Sequence, residues 1–180
     1  MRIDIEPDTK KFALIGHEDS LIVATSHNKS VSFWGCDGKL IDKISVGSTI
    51  VDLCGTYTRA FIVCSQEIHV WANKKTFVIP LPVIADAACS RDDVYPFICI
   101  KTRSGHLLLN TEKNRLIDAK FEDVPPTNIQ SVGTRKIEIK STIFYGSIEK
   151  VFASDIVNVS QHRDYVFVYT ADNKLNIFKI

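Results

Sequence analysis

Hydrophobic positions in this chain come in short runs, each closed by a polar turn. Leu21–Thr25, Ser30–Trp34, Ala60–Cys64, Glu67–Trp71, Tyr165–Thr170 and Lys174–Ile180 are rich in β-branched and aromatic residues, which predicts strands. Glu67-Ile68-His69-Val70-Trp71 and Lys174-Leu175-Asn176-Ile177-Phe178 alternate polar with apolar, the period of a strand with one wet face. Leu21-Ile22-Val23 and Phe61-Ile62-Val63 are apolar at every position, as in a strand covered on both faces. The best helical stretch, Val83–Ala88, is too short to hold a helix. The pattern predicts an all-β chain.

The runs repeat. A small residue ends an apolar approach at Gly16, Gly55, Ser90, Gly133 and Ser160, with compact apolar Ile15, Cys54, Cys89, Val132 and Val159 just before. A short polar turn follows each anchor, and a bulky apolar residue closes each unit sixteen to nineteen positions on: Trp34, Trp71, Leu108, Phe152 and Phe178. The anchors are spaced by 39, 35, 43 and 27 residues, so the last interval is short. Gly or Ser suits a point where the chain turns sharply or another backbone comes close. A unit of this size cannot bury both faces alone and must stack on its neighbours. Distinct strands separated by turns favour radial stacking, so the expected architecture is a β-propeller, small or incomplete, of about five short antiparallel-sheet repeats in one domain over residues 1–180.

Arg2-Ile3-Asp4-Ile5 alternates like a strand and the sequence finishes inside another, so pairing of the two in one sheet is expected. Five units in 180 residues leave about 36 each, tight for four strands. Either the blades are short, or a second chain completes the propeller. The polar interval Asn110–Asn128 is the best candidate for an exposed excursion.

Composition narrows the function classes. Lys and Arg total 22 against 21 Asp and Glu, a net charge of +1, and the densest cationic run, Thr134-Arg135-Lys136 to Lys140, is broken by Glu138. Phosphate-dependent binders usually carry a basic excess, so nucleic acid is disfavoured as a partner. The start, MRIDIEPDTKK, has no apolar core of a signal peptide, and no window is apolar enough to span a membrane. Five cysteines without a CxxC pair fit a cytoplasmic or nuclear setting.

No candidate chemistry stands out. Cys54 and Cys89 sit one before an anchor, and Cys64 and Cys99 nine after, so they are expected as buried fillers repeated with the unit; Cys36 falls in a turn. His17, His27, His69, His106 and His162 are scattered without a metal-ligand spacing. Phosphate-cradling and nucleophile-elbow motifs are missing from the sequence. The expectation is therefore a chain without catalytic, cofactor or metal residues. The turns after the anchors present Glu18, Asp19, Tyr57, Arg59, Arg91, Asp92, Asp93, Arg135, His162, Arg163 and Asp164. If the anchors are equivalent, these share a rim whose Arg, Tyr and mixed charge suit contact with another protein.

The anchor-to-aromatic pattern resembles the repeats of the regulator of chromosome condensation family, which are seven-bladed propellers. The resemblance is carried by Leu14-Ile15-Gly16, Ser20, Leu21-Ile22-Val23 and Val31-Ser32-Phe33-Trp34-Gly35, and again by Leu53-Cys54-Gly55, Ala60-Phe61-Ile62-Val63 and Ile68-His69-Val70-Trp71. It returns in Ile156–Ser160, Tyr165-Val166-Phe167-Val168 and Leu175-Asn176-Ile177-Phe178. In place of that family's His-Ser pair stand residues such as Asp19, Thr58, Asp93 and Arg163. Ser32-Phe33-Trp34 with Gly38-Lys39-Leu40 also resembles the end of a WD repeat. The first resemblance implies nucleotide exchange on a small GTPase, and the second a chromatin- or RNA-associated module. The residues themselves favour a non-catalytic scaffold or regulatory subunit that binds protein.

Overall fold

The computed structural model describes all residues except 1, 8, 10, 17–19, 91–95, 120–141, 146–147, 163 and 180. The described residues form strands and turns, and the chain divides into two compact units. The larger, Asp8–Thr127, holds three four-stranded sheets, and the smaller joins Met1–Pro7 to Asn128–Ile180.

In the smaller unit, β1 (Arg2–Asp4) is the edge of the last sheet. In the larger, the first sheet is β2 (Lys11–Ile15), β3 (Ile22–His27), β4 (Ser30–Gly35) and β5 (Leu40–Ser45). The second is β6 (Ile50–Gly55), β7 (Ala60–Cys64), β8 (Glu67–Ala72) and β9 (Lys75–Pro80). The third is β10 (Ala85–Ser90), β11 (Phe97–Thr102), β12 (Gly105–Asn110) and β13 (Arg115–Ala119). Each is an antiparallel meander in chain order. The β8–β9 turn has Asn73 and Lys74 both at positive φ, 48° and 64°, the backbone of a two-residue hairpin matched to strand twist.

The predicted strands lie where they were expected, and part of the stretch weighed for a helix, Val83–Ala88, belongs to strand β10. The first part of the polar interval Asn110–Asn128 is the β12–β13 hairpin rather than an excursion, because Arg115–Ala119 pairs with β12. Residues 120–128 lie outside the described residues.

Alternation explains the fully apolar runs. On β7, Ala60, Ile62 and Cys64 pack into one core with Ala13, Ile15, Ala24 and Phe33 of the first sheet. Phe61 and Val63, pointing the other way, enter a second core with Ile98, Ile100, Leu107 and Leu109 of the third. A strand between two cores has no wet face. Of the bulky closers, Trp71 fills the wedge between the first two sheets: its ring stacks on Phe33 with centroids 4.0 Å apart, and its indole N–H donates to Asp42 Oδ2 at 2.7 Å, whereas Trp34 is half-buried and donates to Thr25 Oγ1 at 2.9 Å. Trp34 and Trp71 are each the fifth residue of the third strand in their sheets. In the third sheet this place belongs to Leu109, fully buried, and not to Leu108, which the spacing suggested.

In the larger unit the anchors stand at the ends of the first strands. Gly16 follows β2 at φ 87°, a left-handed conformation that favours glycine, while Gly55 closes β6 where a Cβ would run into the backbone carbonyl of Leu14 on β2. The Gly16 N–H donates to Thr56 O at 3.1 Å, joining the ends of the two first strands. Bulges shift the register of β6 between Ile50 and Asp52 and of β10 between Ala85 and Ala87.

The smaller unit contains the hairpin of β14 (Thr142–Tyr145) and β15 (Ile148–Val151). Its four-stranded sheet runs β16 (Ile156–His162), β17 (Tyr165–Thr170), β18 (Lys174–Lys179) and then β1. Arg2, Ile3 and Asp4 pair with Asn176, Leu175 and Lys174, so the first strand completes the last sheet, as the alternation predicted. β16 bulges between Ile156 and Asn158, the same part of a first strand as in β6 and β10. Anchor Ser160 lies within β16, which runs on to His162; Gly133 falls outside the described residues.

Candidate partner-binding surfaces

The turns proposed as a rim are partly described. Glu18, Asp19, Arg91, Asp92, Asp93, Arg135 and Arg163 lie outside the described residues. His162 is the last residue of β16, paired with Tyr165, and not a turn residue. Asp164 is exposed in the turn that follows. The β6–β7 turn is described in full. Thr56 N–H donates to Arg59 O at 2.9 Å, and Arg59 N–H returns a bond to Thr56 Oγ1 at 3.2 Å, which closes the turn on itself. Tyr57 stands at its tip, 48% exposed.

Arg59 reaches across to the third sheet, where Nη1 donates to Thr111 O at 3.1 Å and to Asn114 Oδ1 at 2.9 Å. The β12–β13 turn is itself built on Asn110, whose Oδ1 accepts from the N–H groups of Glu112 and Lys113, with Asn114 at φ 51°. The structure thus brings Tyr57 and Arg59 together with the Thr111–Asn114 turn at one end of the larger unit. Arg59 works there as a brace that spans 52 residues of sequence, a partnership no local pattern announces.

At the opposite end of the same strands lies a feature the sequence reading missed. A cleft of about 350 Å³ opens between the first and second sheets, lined by Lys11, Ser26, Asn28, Lys29, Thr49 and Ile50. Lys11 begins β2 directly across from Ser26 on β3, and its backbone N–H donates to Ser26 Oγ at 3.2 Å. Asn28 and Lys29 form the β3–β4 turn, and Lys29 Nζ donates to Gly47 O at 3.2 Å. Lys11 Nζ also stands 3.5 Å from Asp52 Oδ1. Burial pushes the Asp52 carboxyl above its ordinary range, and Lys11 and the Leu53 N–H only partly oppose that.

Beside this end, Glu67 Oε1 accepts from Ser48 Oγ at 3.1 Å and lies 2.9 Å from His69 Nε2. Those bonds, from His69 first and Ser48 next, hold the Glu67 carboxyl below its usual value. The expected filler cysteines are buried at Cys54, Cys64 and Cys99, while Cys36 is exposed. Burial raises the Cys64 thiol, so it stays protonated at neutral pH.

Comparison with known proteins places the fold. No family model matches the chain, and no curated protein sequence does. Among solved structures, BBS1N in complex with ARL6DN is similar over 94% of this chain and 50% of its own, with a TM-score of 0.51 and 11% identity. The chain has the β-propeller fold. The Neurospora crassa Pan2 WD40 domain covers 97% of this chain at 10% identity with a TM-score of 0.49, and the computationally designed protein Ika4 covers 99% at 9% with 0.48. The chain spans about half the length of the first two, 50% and 48%. The regulator of chromosome condensation family gains no support from these comparisons.

Proposed function

We propose that this chain is a non-catalytic propeller module that binds another protein through the rim formed by the turns after its first strands. The observation that carries the reading is Tyr57, a large amphipathic side chain set out at the tip of a turn that Thr56 and Arg59 hold rigid. Rigid exposed tyrosines contribute contact area at little entropic cost, and they are enriched among the residues that dominate protein interfaces. A neighbour of the same fold, BBS1N, was solved in complex with ARL6DN, which supports a protein as the class of partner.

The test is affinity capture from cells expressing the chain, comparing the unaltered protein with Tyr57→Ala and with Lys101→Ala, an exposed change at the end of β11 away from the rim. The expected result is a discrete partner whose recovery drops at least about tenfold with Tyr57→Ala, the loss typical of an interface anchor, and holds with Lys101→Ala. Equal recovery with all three proteins would remove this rim as the binding face.

A further inference from the structure

The cleft between the first two sheets lies at the end of β2 and β6 away from Tyr57, so what it does is independent of the rim. Its lining is donor-rich. Lys11 and Lys29 supply two ammonium groups, Thr49 a hydroxyl, and Asn28 an amide whose Nδ2 already lies 2.8 Å from His27 Nε2 and has a second N–H to give. Ser26 Oγ already accepts the Lys11 N–H, which leaves its own proton to donate. Ile50 gives one apolar wall. Against the two cations stands Asp52, 3.5 Å from Lys11 Nζ, so these three side chains together carry a single positive charge, while Glu67 beside this end is engaged by Ser48 and His69.

We infer that this cleft is a docking pocket for an acidic side chain, an Asp or Glu carboxylate presented by a peptide segment of a protein partner. Charge complementarity selects the occupant. One net positive charge with several neutral donors matches a monoanion that accepts three or four hydrogen bonds. A phosphate dianion fits poorly: the lining has no arginine fork, and the Asp52 carboxylate would repel a second negative charge. The volume, about 350 Å³, suits a side chain and its flanking backbone rather than a large cofactor. Docking would draw Lys11 Nζ from Asp52 toward the incoming carboxylate, so Asp52 acts as an internal competitor for the same lysine.

Fluorescence anisotropy on the full chain tests this with a labelled Gly-Ser peptide carrying spaced Glu residues, its Gln counterpart and its phosphoserine counterpart. The Glu peptide is expected to bind and the Gln peptide to bind at least about tenfold more weakly, the scale of a lost charged hydrogen bond. Lys29→Gln and Lys11→Gln should each weaken the Glu peptide by a similar factor, while Lys75→Gln, remote on β9, leaves it unchanged. Asp52→Asn, which frees Lys11, should tighten binding several-fold, a gain that a purely structural role for Asp52 would not produce. Equal binding of the Glu and Gln peptides, no saturable binding of the Glu peptide, or tighter binding of the phosphoserine peptide would each overturn the proposal. So would an Asp52→Asn protein, folded by circular dichroism, that binds no better than the unaltered chain.

Discussion

Asp52 shows how one residue's surroundings set a measurable pH response. Burial raises its folded value above the value it has in the unfolded chain. Above that raised value the folded protein holds a poorly solvated charge that unfolding would release to water, so ionisation costs stability. As the pH falls through the raised value toward the ordinary carboxylate value near about 4, protonation removes the cost. The unaltered protein should therefore gain stability relative to Asp52→Asn across that window. Glu67 works in the opposite sense: its value is lowered, so its contribution is full above the ordinary carboxylate value and fades as the pH falls through the lowered one. Urea unfolding of both proteins at a series of pH values checks the sign, and a gap that stays constant through the acid range would contradict it. None of this was legible in the sequence, where Asp52 is one polar residue in an apolar run and Lys11 stands 41 positions away.

At the scale of elements, the sequence carried the strands and much of their packing. Phe61-Ile62-Val63 announced a strand covered on both sides because no polar residue interrupts it, and the two cores on either side of β7 are the reason. Gly55 announced a close approach, and Leu14 is what approaches. Replacing Gly55 with Ala sets a methyl group into the backbone of β2, which only a strand shift can relieve. The expected loss is about 3 kcal/mol or more, at the top of the overpacking range, read as a lowered urea midpoint with an unchanged slope. A loss within about 0.5 kcal/mol, the range for surface substitutions, would mean that β6 and β2 do not meet there. The bulges were not legible. They are defined by the pairing of two strands, and Val51, Asp86 and Val157 look like ordinary strand residues until the partner's register is known. Leu109 was missed for a related reason: three leucines in a row, Leu107 to Leu109, hide which one faces the core. The cleft was hidden because its walls come from three separate stretches that only the packing of two sheets brings together.

For the whole molecule, the repeat is the organising fact, and the pairing of β1 with β18 is its clearest consequence. Ile3 and Ile5 are buried, Arg2 stands 3.6 Å from Asp172, and Lys174 stands 3.4 Å from Asp4 along the same edge. The sheet thus takes its fourth strand from the other end of the chain, which pairs the free side of β18. Both proposed surfaces rest on the repeated sheets being built in this way, with turns following the first strands at one end and the strand starts at the other. Paired cysteines test the architecture directly. Directly opposed residues in an antiparallel pair fall within disulfide reach, and residues two positions out of register do not. Under mild oxidation, Arg2→Cys with Asn176→Cys should form an intramolecular disulfide in the folded protein, mapped by peptide mass, while Arg2→Cys with Lys174→Cys should not. Failure of the first pair, or equal cross-linking of both, would contradict the closure of the last sheet by the first strand.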